Sequence, residues 1–146
     1  DNIPTITEYD YSDFKAFLKI EKISFDTETE LELKATMEKA QKEKAEYNLG
    51  NTIYKNKKYS EAITNYKNAS ELAKTDIEKH KAFHNLGNAY MQDKNYQSAV
   101  EAYKMALKSN PNDEKTRYNL ALAKKMLEKN PPKPNQACGI SKYRND

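Results

Sequence analysis

The tetrad Asn-Leu-Gly-Asn at 48–51 recurs at 85–88 and survives in part as Asn-Leu-Ala-Leu at 119–122. Around it, residue types return in columns. Six residues before the glycine position stand Lys44, Lys81 and Lys115; three before it, Tyr47, His84 and Tyr118; two before it, Asn48, Asn85 and Asn119. One residue after it come Asn51 and Asn88, then Leu122. Each asparagine amide offers donors and an acceptor, so a column of them can pair with a peptide main chain whatever side chains that chain carries. Lysines beside them attract acidic groups, and a ring gives a surface on which a chain can lie. One such hydrogen bond contributes only about 0.5–1.5 kcal/mol net, so repeated columns are needed for useful affinity. The plainer alternative is that Asn48 and Asn85 bond neighbouring helices and the lysines form a solvated face.

His80 and His84 lie four apart, a spacing that can hold a metal on one face of a helix. No glutamate stands between them, Lys81 lies beside them and no third ligand is evident, so they read as ordinary helix residues. Asp93 with Glu101, and Glu43 with Glu46, could pair as acid and base but read as solvated charge. The sequence has no Gly-rich phosphate loop, nucleophile elbow or Cys-His pairing. Catalytic residues, a cofactor and a metal are therefore not expected. Cys138 is the single cysteine, which excludes an internal disulfide and a cysteine-built metal site.

Composition indicates which elements could hold such columns in line. At 146 residues the chain has single-domain length. With three glycines, no tryptophan and eleven tyrosines, its apolar face relies on Ala, Leu and Tyr, which suits packed helices better than a thick sheet core. A net charge of +3 with mixed signs lacks the basic excess that gripping nucleic acid requires. No apolar run reaches the ~18 residues of a membrane span. The opening DNIPTITEYD has neither the basic start nor the apolar stretch of a signal peptide. Beginning at Asp1 points to a trimmed or mature chain from which any export signal has gone.

Shifted by 37 residues, Asn48, Leu49, Gly50, Asn51, Lys57, Tyr59, Ala62, Tyr66, Lys67 and Ala69 meet identical residues. Self-similarity at this period signals a stacked array. In each copy apolar residues step by three and four, pause at a short polar turn (Asn56 to Lys58; Asp93 to Asn95) and resume, which predicts a helical hairpin. A glycine inside a helix costs about 1 kcal/mol relative to alanine. Close approach would offset that, because a backbone without Cβ lets an aromatic ring of the partner helix lie directly on it.

These residues resemble the tetratricopeptide repeat, whose pattern sets an aromatic, Leu, Gly and Tyr on helix A, then Ala, an aromatic and Ala on helix B, then Pro. The second copy follows it nearly throughout, with Phe83, Leu86, Gly87, Tyr90, Ala99, Tyr103, Ala106 and Pro111. The first agrees at Leu49, Gly50, Ala62, Tyr66 and Ala69 but has Glu46, Ile53 and Lys74 at the remaining places. The resemblance implies an all-α solenoid of helical hairpins with a C-terminal capping helix. It also implies that the A helices line a concave groove for an extended peptide. Lys44, Tyr47, Asn48, Asn51, Lys81, His84, Asn85, Asn88, Lys115, Tyr118 and Asn119 then become the expected peptide-binding set.

The repeat domain is expected over 26–130, as a degenerate half-repeat at 26–42, repeats at 43–74 and 75–112, and a capping helix at 113–130. The half-repeat reads as an eroded helix B (Leu31, Ala35, Met37 to Ala40) under the first full repeat, capped among Asp26, Thr27 and Thr29. Thr75-Asp-Ile-Glu78 is a capping-box pattern that would start the next helix about one turn early. The third copy follows the second by 34 residues, puts Ala121 at the glycine position and has no helix B, because Pro131 and Pro132 stop it. With no partner helix to press on it, alanine suffices there. Residues 1–25 hold one amphipathic helix (Asp10 to Ile23, with Phe14, Phe17 and Leu18 on one side), and 131–146 reads as a proline-rich, disordered tail.

A narrower resemblance covers roughly residues 45 to 133. The runs EYNLGNTIYKNKKYSEAI and EKHKAFHNLGNAYMQDKNYQSAVEAYKMALKSNPNDEKTRYNLALAKKMLEKNPPK are similar to the tetratricopeptide part of Bat-type (aerotolerance-operon) bacterial proteins. That similarity implies a bacterial envelope or periplasmic location, with the cytoplasm as the alternative, and a von Willebrand A-type partner. The expected function is a non-catalytic adaptor or scaffold holding an extended, acidic segment of another protein. One rival is a reader of chaperone C-terminal carboxylates, for which Asn51, Asn85 and Lys115 match clamp positions while Tyr47 and Asn119 do not. The other is a purely structural oligomerisation module.

Overall fold

Five α-helices follow one another among the residues described by the computed structural model, 26–134. They are α1 (Thr27–Lys55), α2 (Tyr59–Leu72), α3 (Asp76–Gln92), α4 (Tyr96–Ser109) and α5 (Glu114–Lys129). Each packs chiefly on its neighbours in sequence. The fold is an all-α helical-hairpin solenoid, with α1–α2 and α3–α4 as hairpins and α5 closing the end. The segment expected as a helix at Asp10 to Ile23, the end of the tail and Cys138 lie outside the described residues.

The turns inside both hairpins share one mechanism. Lys57 and Lys94 adopt a left-handed conformation, each with φ of 61°. That bend lets Lys58 N donate to Ile53 O and Lys57 N to Tyr54 O, and Asn95 N to Tyr90 O and Lys94 N to Met91 O. These paired bonds satisfy the last carbonyls of α1 and α3 and reverse the chain within three residues. The next helix is started by side chains: Thr75 and Glu78 form the capping box expected for α3, and Asn95 Oδ1 accepts from Ser98 N at the head of α4. Asp76 begins α3 eleven residues before Gly87, whereas Glu114 begins α5 seven before Ala121, so α3 does start a turn early.

The half-repeat at 26–42 needs correction. Asp26 caps the helix by accepting from Thr29 N at 2.8 Å, but the helix it starts continues unbroken to Lys55. No Gly or Pro interrupts EKAQKEKAEYNL, and Glu, Lys, Ala and Gln are all good helix formers, so nothing there can make a turn. The expected helix B is therefore the first part of helix A. Leu49 shows the consequence: it is 50% exposed, while its counterpart Leu86 is 5% exposed because α2 lies against it.

The core runs along the hairpin contacts. Ala62, Ile63 and Tyr66 of α2 meet Leu86 and Ala89 of α3 and Ala102 of α4, and Ala99, Val100 and Tyr103 of α4 meet Ala123 of α5. Ala62, Ala69, Ala99 and Ala106 are fully buried, which lets the helices approach closely enough for the tyrosines to reach across.

Candidate functional site

Gly50 and Gly87 each lie under a tyrosine ring. A Cβ added at Gly50 would stand 2.8 Å from Cδ1 and Cε1 of Tyr66, and one at Gly87 would stand 2.5 Å from Cε1 of Tyr103. Real Cβ atoms do not come so close, so glycine is required where helix B presses its ring onto helix A. Ala121 is exposed, and among the described residues no helix B follows it to bring a ring across.

This close approach carries each phenol through to the residue after the glycine. Tyr66 Oη donates to Asn51 Oδ1 at 2.8 Å, and Tyr103 Oη donates to Asn88 Oδ1 at 2.7 Å. The same carbonyl oxygens accept a second bond from the next A helix, Asn85 Nδ2 to Asn51 Oδ1 at 3.0 Å and Asn119 Nδ2 to Asn88 Oδ1 at 3.1 Å. Asn85 Nδ2 also donates to Tyr47 Oη at 3.0 Å. Burial is the main cause that raises the pKa of both Tyr66 and Tyr103 above the usual phenol range, so these hydroxyls stay protonated donors. A phenol-to-amide-from-amide ladder thus crosses each junction between A helices.

The ladder leaves specific groups over. With the Oδ1 of Asn51 and of Asn88 each accepting twice, their Nδ2 groups have no partner among the described residues, and neither does Oδ1 of Asn85. These amides gather at a cavity of about 170 Å³ between α1 and α3, lined by Asn51, Tyr54, Lys55, Tyr66, Asn85 and Asn88. Two open donors, one open acceptor and a lysine at one small pocket can engage a peptide main chain together with an acidic group.

The other expected residues are distributed as follows. Lys44, Lys81 and Lys115 are all exposed. The aromatic column divides. Tyr47 packs on Tyr66, centroids 6.1 Å apart, and His84 on Tyr103, 5.9 Å apart, so two of the three rings are covered by the helix B of their own hairpin. Tyr118 has no helix B above it among the described residues and is 70% exposed. Burial, opposed by the Asp113 carboxylate, holds the His84 imidazole below its usual pKa. The asparagine column divides for the opposite reason: Asn85 and Asn119 reach back to the preceding A helix, while Asn48 has no described A helix before it and is exposed. Of the residues matching a carboxylate clamp, Asn51 and Asn85 are bonded to each other.

Tyr54, Lys55 and Tyr66 line the pocket, although the column pattern had not placed them there. One trace of Tyr66 was available in the sequence. Tyr66 and Tyr103 each follow their bonded asparagine by 15 residues, so the pair recurs as a unit.

The tetratricopeptide repeat family model matches residues 80–113, which take in most of α3, all of α4 and the turn into α5. The chain carries a tetratricopeptide repeat. The glycine–tyrosine contact and the amide ladder of that repeat recur in the α1–α2 hairpin. Tetratricopeptide repeats generally mediate protein–protein interactions and are generally non-catalytic. The match extends to the repeat and not to the Bat-type subfamily or a von Willebrand A-type partner. No curated protein matches the chain. Among the described residues no helix is long and apolar enough to cross a membrane.

Proposed function

We propose that the chain is a non-catalytic adaptor holding an extended, acidic segment of another protein along α1, α3 and α5. The observation behind this reading is the set of outward amide groups left by the ladder, Nδ2 of Asn51 and Asn88 and Oδ1 of Asn85, at one pocket beside Lys55. The ladder fixes these amides before any partner arrives, so binding need not immobilise them. The exposed column of Lys44, Lys81 and Lys115 supplies the preference for acidic side chains.

The test exploits the two ends of each amide. In Asn51→Asp with Asn88→Asp, an oxygen still accepts from tyrosine and asparagine inside the stack, but the outward donor becomes a negative acceptor. The wild-type chain is expected to enrich extended acidic peptides from a displayed random library. The double variant should bind the enriched peptide at least tenfold more weakly, about 1.4 kcal/mol, while remaining helical by circular dichroism. Equal affinity of the two proteins, or enrichment of neutral and basic peptides, sinks the reading. Amidating the peptide C-terminus should leave binding intact; abolition would transfer the function to a carboxylate reader. An envelope location belongs to this proposal through the Bat-type resemblance alone, and fractionation of cells expressing the full-length protein tests it.

A further inference from the structure

His80 and His84 share one face of α3, their ring centroids 6.0 Å apart. The solenoid folds the start of α5 against that face, and Asp113, its N-cap residue, supplies the third ligand that linear spacing did not disclose. His80 Nε2 stands 3.0 Å from Asp113 Oδ2. Thr116 donates its hydroxyl hydrogen to the same Oδ2, so its oxygen must accept from His84 Nδ1, 2.7 Å away. One ligand atom from each of His80, His84 and Asp113 lies within 4.8 Å of the others, and all three residues are part-buried.

We propose that His80, His84 and Asp113 bind a divalent transition metal of the zinc type, which staples α5 to α3. Zinc bonds of ~2.1 Å in a tetrahedral shell set ligand atoms ~3.4 Å apart. The His80–Asp113 pair at 3.0 Å therefore has to open slightly, and the remaining ligand atoms, within 4.8 Å of one another, have to close onto the metal. The surroundings already have the form of an outer shell. His80 Nδ1 donates to the carbonyl of Ala106 at 2.9 Å, which fixes the ring and leaves Nε2 as the ligating nitrogen. Thr116 is fully buried and ties Asp113 to His84, so the ligands from the two helices are oriented by one hydroxyl.

On binding, the metal replaces the hydrogen between Nε2 and Oδ2, which leaves to solvent as a proton. His84 keeps the Nδ1 hydrogen it gives to Thr116 and ligates through Nε2, so no further proton moves and no electrons are transferred. Three protein ligands leave a fourth position for water. Two imidazoles and one carboxylate favour zinc, cobalt or nickel over magnesium. The site lies at the α3–α5 junction and is independent of the pocket between α1 and α3.

The test uses the whole chain with Cys138→Ser, so that the lone thiol cannot contribute, and zinc chloride alone as the probe. Calorimetry should show one saturable site per chain, and excess zinc should raise the melting temperature by on the order of 5 °C. Cobalt should give the absorption of a low-symmetry, four-coordinate ion. Asp113→Asn preserves side-chain shape and should weaken zinc at least tenfold, with His84→Gln doing the same. Should His84→Gln fail to fold, Asp113→Asn decides. No saturable zinc binding, undiminished binding by Asp113→Asn, or an equal thermal shift with magnesium overturns the proposal.

Discussion

Where α3 meets α1, the slot seven residues before the glycine holds Glu43; where α5 meets α3, it holds His80. The amide ladder is alike at both junctions, but the charge chemistry beneath it is opposite. Glu43 is 7% exposed and forms no ion pair among the described residues. Burial first, and the Glu78 carboxylate second, push its pKa up against the pull of Lys81. His80 has both ring nitrogens on acceptors, Ala106 O and Asp113 Oδ2. Hydrogen bonding from Thr116 chiefly, with His80 assisting, holds the Asp113 carboxyl below its usual pKa. The repeat pattern therefore sets the hydrogen bonds that recur. Individual residues set the charge chemistry of each junction, an unpaired acid at the first and a bonded histidine–aspartate pair at the second.

The largest break in this comparison should come from filling a glycine. Gly87→Leu puts a side chain into the Tyr103 ring and should cost about 3 kcal/mol or more in urea unfolding. Gly50→Leu should cost somewhat less, because Tyr66 stands slightly further off. Ala121→Leu, at the same place in the pattern but with no ring above it, should stay within ~0.5 kcal/mol. A comparable loss at all three positions would remove close approach as the reason for the glycines.

Removing a hydroxyl tests the shared ladder. Tyr66→Phe and Tyr103→Phe should each lose about 1–2 kcal/mol by thermal or urea melts, since each takes one donor from a part-buried amide oxygen. Losses differing severalfold would mean that the two junctions are not built alike.

The charge difference is sharpened by Glu43→Gln, which should raise stability at pH 7 by about 1 kcal/mol or less. The sign follows from the raised pKa. The folded chain holds this proton more tightly than the unfolded one, so the contribution of Glu43 is fully present below its ordinary value of 4.5. It is lost as pH rises through the raised value, and the advantage of glutamine should shrink towards zero near pH 4. His80→Gln should move the other way and destabilise the second junction at pH 7. Melts across a pH series compare the two directly.

The smallest effect is expected where the hairpins are the same. Lys57→Gly and Lys94→Gly relieve a side chain held at φ of 61°, and each should add about 0.5 kcal/mol. A loss of stability at either turn would show that its lysine contributes more by contact than its backbone conformation costs.

The hairpins were legible because their determinants are local or repeat. Apolar steps of three and four, polar turns at 56–58 and 93–95, and the capping box at Thr75 are set by residues within a few positions of one another. The break expected near residue 42 was not there, because an eroded repeat pattern cannot make a turn in a run of strong helix formers. The asparagine columns were visible as columns, but the direction of each amide was not. Asn85 and Asn48 occupy equivalent places and differ only in whether a described A helix precedes them. Tyr47, His84 and Tyr118 likewise differ only in whether a described helix B follows to cover the ring.

By itself the sequence determined where the chain turns, which positions recur and where a helix must have no Cβ, since each of these depends on backbone preference and on a period written into the residues. Tertiary structure decided which end of each asparagine faces outward, that Tyr54 and Lys55 line a pocket with Asn88, and that Asp113 meets His80 across 33 positions of chain. Those outcomes depend on which helix lies beside which. Side chains far apart in sequence acquire a joint chemistry only when packing sets their separation.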